Sequence, residues 1–381
     1  MRKLVLLLAL ALVIACDAGA FAAQDVPCYQ RPTHLDQPWI KVGIACLEAV
    51  IDDPGAGDLA FTALAAAPDG TLYAARPLAG EVLTLTDSDG DGLPDAPQVA
   101  ADGLTLPNGL AYHDGVLYIS GGAHVYRLRD SVLDTLVDDL PSGGGFWSGG
   151  IAVSGDRLYV ATGAPCDFCV ADDPMRGAVL SFALDGSDRR VVATGLRQPA
   201  DLALDGETLW IVDSARGGLF DTPDLDEIDR VTLDDSTQPP DFGFPYCIGL
   251  ANTPDLDGGD CTASTPPAIT LPTGSTPTGI AVYGGEAIPS LSGSLLVVLG
   301  GSYNNLDLRG YFVAAVDPAS GSVTPFMPTR PDDTPASDFT IEQMSYRGSG
   351  FFPHRPLDVA VTERGWVYIS VGGGRILALR P

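Results

Sequence analysis

Short apolar runs, each followed by a Gly-containing turn and a second β-rich run, recur six times along this chain. They fall at Phe61–Tyr73, Pro107–Tyr118, Ser148–Tyr159, Pro199–Trp210, Pro277–Tyr283 and Pro356–Tyr368. Anchored on Leu64, Leu110, Ile151, Leu202, Ile280 and Val359, the steps are 46, 41, 51, 78 and 79 residues. A four-stranded propeller blade needs about 40–50 residues, so the two long steps imply insertions. No long window carries a helical period. The pattern predicts an all-β chain, a six-bladed β-propeller over 61–381 with short strands lining a central channel.

The last repeat ends early. After Gly374-Arg-Ile-Leu-Ala-Leu-Arg380 the chain stops at Pro381, which leaves the sixth blade with three strands. The strand-like stretch 42–51, inside an N-terminal segment over 24–60, is expected to supply the fourth and close the ring, removing an exposed edge.

Ahead of that segment, Met1-Arg-Lys precedes a 12-residue apolar run, Leu4–Ala15. The run is too short to span a bilayer and has the form of an export signal over 1–23. Val13-Ile-Ala-Cys16 resembles a bacterial lipobox, which would lipidate Cys16; a competing cut follows Ala20-Phe-Ala22. Either way the body is expected in the periplasm or on the cell surface, touching membrane only through a lipid anchor.

Export changes the reading of the cysteines. Six of the seven remain once Cys16 is set aside, and an oxidising compartment with sequence proximity favours Cys28–Cys46, Cys166–Cys169 and Cys247–Cys261. The alternatives for the Cys-x-x-Cys at 166–169 are a catalytic pair or a zinc half-site; four histidines and no second Cys-x-x-Cys argue against zinc.

Charge narrows the partners. The formal net charge is −28, and the only lysines are Lys3 and Lys41. Such a surface repels nucleic acid and attracts divalent cations. Asp87-Ser-Asp-Gly-Asp-Gly-Leu-Pro-Asp95 has the oxygen spacing of a Ca²⁺ loop, with side chains of Asp87, Asp89, Asp91 and Asp95 and the carbonyl of Leu93 as ligands. Position 12 is Gln98 rather than a bidentate glutamate, and a plain acidic turn is the competing reading. Two other acidic clusters, Asp221–Asp229 and Asp255–Asp260, lack that spacing. At the starts of the inner strands, Asn108, Phe146, Arg197, Asp201, Asp358 and His354-Arg355 are expected to line the channel. Arginines there would make an anion-binding mouth or inter-blade salt bridges.

Further stretches carry a family likeness: Ala75-Arg-Pro with Gly80, the Asp-rich loop followed by Leu106-Pro107, and Gly163-Ala-Pro-Cys-Asp-Phe-Cys169. Ala193–Pro199, Val212–Gly218, Asp226-Glu-Ile-Asp229, Asp241–Cys247, Gly300–Asn304 and Gly374-Arg375 follow in the same order. Together they resemble the soluble pyrroloquinoline-quinone (PQQ) dependent sugar dehydrogenases, the glucose/sorbosone dehydrogenase family, over about residues 55–381. The resemblance implies oxidation of a sugar hydroxyl or aldehyde, PQQ and Ca²⁺ as cofactors, a small sugar as substrate and an external electron acceptor. It places Arg197, Gln198, Arg216 and Arg355 at the PQQ and the carbonyls of Gly217 and Gly218 at the calcium. It also marks departures. Phe146 stands where the family has its general-base histidine, a loss that typically costs about 10²–10⁴-fold. The cation expected near Asn304-Asn305 is missing, and His354 is the candidate substitute base. A calcium-dependent lactonase or hydrolase, with Asn108, Asp201 and Asp358 around a channel cation, is one alternative; a non-catalytic binding propeller is another.

Overall fold

The structure is a computed structural model. It describes residues 26–35, 45–53, 55–88, 94–216, 225–234, 238–248, 253–254, 261–272, 274–302, 309–327, 351 and 354–381. Among these there is no α-helix, only two single 3₁₀ turns, Cys28–Gln30 and Pro289–Leu291.

Six four-stranded antiparallel sheets form a six-bladed β-propeller. Their first strands are Ala63–Ala66, Pro107–His113, Ile151–Ser154, Pro199–Asp205, Pro277–Val282 and Pro356–Val361, one per repeat. All six anchors sit in these strands, and five of the six blades run in simple sequence order. The sixth takes its outermost strand from the other end of the chain: Cys46–Asp52 pairs antiparallel with Arg375–Arg380, Leu47 opposite Leu379. That strand starts later than the sequence suggested, and residues 42–44 lie outside the described set. The long fourth step is an insertion between the third and fourth strands of blade four. It carries the small hairpin Cys247–Ile248 with Thr253–Pro254.

Second strands are almost wholly apolar (Leu295–Leu299 and Val367–Val371 are buried at every position) because both faces of each blade pack against neighbouring blades. Hydrogen bonds across the seams fix the ring around its axis. Ser120 Oγ donates to Gly149 O at 2.5 Å between blades two and three, and Gly150 N donates to Ala200 O at 2.8 Å between three and four. Asp201 Oδ2 accepts Ile280 N–H at 2.9 Å between four and five, and Asp358 Oδ2 accepts Leu64 N–H at 2.6 Å between six and one.

All three expected disulfides are present: Cys28–Cys46, Cys166–Cys169 and Cys247–Cys261. The first ties the N-terminal turn to the strand on blade six. Behind it, Glu48 is buried between Arg31 and Arg380, with Thr33 donating to its other oxygen at 2.6 Å. Burial pushes the Glu48 carboxyl up, but the hydrogen bonds from Arg380, Thr33 and Arg31 outweigh it and hold the group below the usual carboxylate range.

Candidate functional site: the axial cavity

The six inner strands surround a cavity of about 590 Å³ on the ring axis. That is a size suited to a small-molecule ligand. Most of its wall is aliphatic, as alternate residues of the inner strands must be. The polar exceptions cluster at strand starts: Thr62, Asn108, Gln198, Asp201, Thr278 and Asp358, with Phe146 and Trp147 on the loop before the third inner strand.

Local backbone geometry sets these side chains. Asp213, at the end of the second strand of blade four, accepts Arg197 N–H at 2.8 Å and Gln198 N–H at 2.6 Å. This pins the turn that presents Gln198 to the cavity. Burial nevertheless raises the Asp213 carboxyl to about 6, against those donors and the Arg197 charge. Asn108 Nδ2 donates to Ser148 O at 3.5 Å. Gly145 has φ +55°, and a Cβ there would strike Ala164 O and Pro165. Only glycine allows the close turn that brings Phe146 and Trp147 to the cavity. Trp147 remains 43% exposed, an aromatic face at the mouth.

Asp201 and Asp358 are the only carboxyl groups in the described lining, on the first strands of the blades to either side of the fifth. A Cβ at position 279 would run into Asp358 Oδ1, so glycine there leaves room for that carboxyl. Burial lifts Asp201 to about 7, against donation from Ile280, Leu202 and Asp358. Asp358, 5% exposed, is raised well above the usual range by burial and then by the neighbouring Asp201 charge.

The arginines named from the sequence point elsewhere. Arg197 is buried behind Phe146, its guanidinium carbon 4.4 Å from the ring centre. It donates to Ser214 O, to Asp167 O and to the Asp167 carboxylate. Arg355 donates to the carbonyls of Gly300, Gly301 and Ser302 and stands 4.9 Å over Tyr311. Arg216 lies 4.0 Å over Phe168, in a separate small pocket with Asp213 and Glu227. His354 sits on the outer rim, Nδ1 3.5 Å from Asp58 Oδ1 and packed on Gly373. The structure thus brings together Asn108, Phe146, Gln198, Asp201 and Asp358, and leaves Arg197, Arg216, His354 and Arg355 out of the lining.

In the candidate calcium loop, Asp95 Oδ2 accepts Ser88 N–H at 3.0 Å, and the Ser88 hydroxyl, then its N–H, hold Asp95 below its usual value. Asp87 is at the loop's other end; Asp89, Asp91 and Leu93 lie outside the described residues, as do Cys16, Gly217, Gly218, Asp221 and Asp255–Asp260. Trp147, Thr62 and Thr278 are cavity residues that the sequence reading did not single out. Their signal was positional: Thr62 and Thr278 each lie one residue from an inner-strand start, and Trp147 lies four residues before one.

No protein-family model matches the chain, and no curated protein matches it. Solved structures do. The AA12 carbohydrate-active enzyme of Trichoderma reesei, in its iodide structure, is 17% identical with a TM-score of 0.67, covering 89% of this chain and 96% of that one. The holo PQQ domain of pyranose dehydrogenase from Coprinopsis cinerea is 15% identical with a TM-score of 0.67, covering 89% and 96%. The apo soluble aldose sugar dehydrogenase of Escherichia coli is 17% identical with a TM-score of 0.59, covering 88% and 99%. At these identities the likeness is one of fold, a propeller shared over nearly its full length.

Proposed function

We propose that this protein is an exported sugar oxidoreductase-type propeller whose axial cavity takes up a neutral aldose or related polyol. One observation carries the reading: a single cavity that combines an exposed tryptophan face, two amides and a carboxyl pair. Sugars present flat C–H faces and many hydroxyls, which is what an aromatic ring and bidentate amide or carboxyl groups recognise. The sequence resemblance and the sugar dehydrogenases among the solved neighbours support the oxidoreductase part. The signal at 1–23 supports export.

PQQ does not follow from the same residues. It carries three carboxylates, and a site for it needs cations. The described lining offers neutral amides and two aspartates, while Arg197, Arg216 and Arg355 direct their guanidinium groups at loop carbonyls, Asp167 and aromatic rings. The described residues do not fit PQQ. Calcium is proposed at Asp87–Asp95, where the carboxylate spacing supports it.

The test is to titrate purified protein with PQQ and Ca²⁺, then screen dye reduction over neutral sugars. Sugar-dependent reduction supports the oxidoreductase reading. Sugar binding with no reduction, with or without PQQ, leaves a binding propeller and discards catalysis. A second reading, a calcium-dependent lactonase, draws on Asn108, Asp201 and Asp358 lining one cavity; calcium-stimulated lactone hydrolysis without dye reduction would favour it.

A further inference from the structure

Three consecutive glycines, Gly143, Gly144 and Gly145, lead into the loop that brings Phe146 and Trp147 to the cavity. All three have positive φ, and a Cβ at Gly143 would meet nothing within 4 Å. A glycine run regains more conformational freedom on release than any other sequence, so a fixed shape there must be imposed from outside. Arg176 imposes it.

Arg176 lies just before the third strand of blade three, Ala178–Ala183, and is buried. Its guanidinium donates to Gly143 O at 2.8 Å and to Gly144 O at 3.1 Å. It also donates to Gly163 O at 2.6 Å and Ala164 O at 3.0 Å, just past the second strand, Arg157–Thr162. Ala164 O accepts Phe146 N–H as well, at 3.0 Å. One planar group thus ties the glycine run to the body of the blade through four carbonyls, immediately before Phe146. All four acceptors are neutral, and burial, opposed in part by the Asp173 charge, lowers the pKa of the group. A buried cation is a costly brace. The first side chains it sets are Phe146 and Trp147.

Phe146 is closed in on its other sides too. The Arg197 guanidinium stacks on its ring and is itself held by Ser214 O at 2.8 Å and Asp167 O at 3.1 Å. Gly163 faces the root of the ring, where a Cβ would come within 2.5 Å of Phe146 Cβ. Trp147, the next residue, therefore projects its exposed ring from a fixed base.

A fixed aromatic face favours one ligand shape. A pyranose ring offers a rigid patch of C–H bonds that stacks on it, leaving the hydroxyls to the amides and carboxyls at the strand starts. An open-chain polyol must lose rotational freedom to present such a patch. We propose that Arg176 is a positioning residue for ligand selectivity: by fixing the Phe146–Trp147 face it makes the cavity prefer a ring-form aldose to an open-chain polyol. This inference deepens the sugar reading above and rests on it.

The experiment is calorimetric titration of the full mature protein with D-glucose and with D-sorbitol, in wild type, Arg176→Lys, Trp147→Ala, their double variant and Gly144→Ala. Lysine keeps the charge but cannot reach four carbonyls from one nitrogen. Wild type is expected to prefer glucose by about 10-fold, and Arg176→Lys and Trp147→Ala each to weaken glucose about 5-fold while sorbitol stays within about 2-fold. The double variant should bind glucose no more weakly than Trp147→Ala alone, because the arginine acts through that face. A merely structural arginine would lower the melting temperature and either leave the glucose-to-sorbitol ratio unchanged or weaken both sugars alike. Either result overturns the proposal, as do additive losses in the double variant. Should Arg176→Lys fail to fold, Gly144→Ala decides. It strains the exposed glycine run at φ +67° without touching the buried cation, and an unchanged glucose preference there overturns the proposal. A wild type that binds both sugars equally overturns it while the sugar reading stands; one that binds neither removes the two together.

Discussion

Asp229 is the residue whose environment is hardest to reconcile with a charge. It is 0% exposed on the third strand of blade four, both its oxygens lack partners, and Glu227 and Asp213 lie nearby. Burial and then those two charges raise its carboxyl well above the usual range, so the fold keeps it protonated. In the unfolded chain it ionises near pH 4. Its contribution is therefore present below that pH and lost as pH rises towards the folded value. Asp229→Asn, neutral at every pH, should raise the melting temperature at pH 8 and change it little at pH 4. Equal shifts at both would mean that Asp229 ionises freely in the fold. The same scale shows where sequence was blind. Arg197 and Arg355 were legible as rare cations at strand starts, but their direction was not. A guanidinium five bonds from the backbone turns to whichever acceptors the loop supplies, here Ser214 and Asp167 or Gly300–Ser302. Asp201 and Asp358 reach the same cavity from positions 157 apart in sequence, which no local pattern encodes.

At the scale of elements, the strands were largely legible because each inner strand is a short apolar run ended by a tight turn. The three disulfides were legible because neighbours in sequence close small loops. The strand Cys46–Asp52 was less so: its partner lies at the far end of the chain, and only the missing fourth strand of the last repeat pointed to it. What holds that strand beside its ladder is the buried Arg31–Glu48–Arg380 group. Removing the middle charge strands two guanidinium groups in a dry site, at a cost of about 3–5 kcal/mol. Glu48→Gln should therefore lower denaturant stability by about that amount, as measured by urea unfolding. A change under about 1 kcal/mol would show the strand to be held by its backbone ladder and Cys28–Cys46 alone. The Asp87–Asp95 loop belongs to the same scale. If it holds calcium, chelator should lower the melting temperature, and Asp89→Ala with Asp91→Ala should abolish the response; indifference to chelator would make it an acidic turn.

For the whole molecule, buried carboxyls and surface charge act in the same direction. Asp201 is lifted to about 7, and Asp213 and Asp226 to about 6, each first by burial and against backbone donors. All three are raised above their unfolded values, so their stabilising effect is complete below about pH 4 and fades as pH climbs to about 7. The −28 net charge adds self-repulsion as further carboxylates ionise. The melting temperature should fall across that window, and salt should recover the part due to surface charge but little of the part due to the buried groups. A curve flat from pH 5 to pH 8 would contradict the protonated aspartates. Whether the cavity takes up a sugar is settled by a crystal structure of the protein soaked with a neutral aldose. The expected result is sugar density on the ring axis against Trp147, within hydrogen-bond distance of Asn108, Gln198 and Asp201. Water alone in that cavity at saturating sugar, or sugar bound only on the outer surface, would contradict the account.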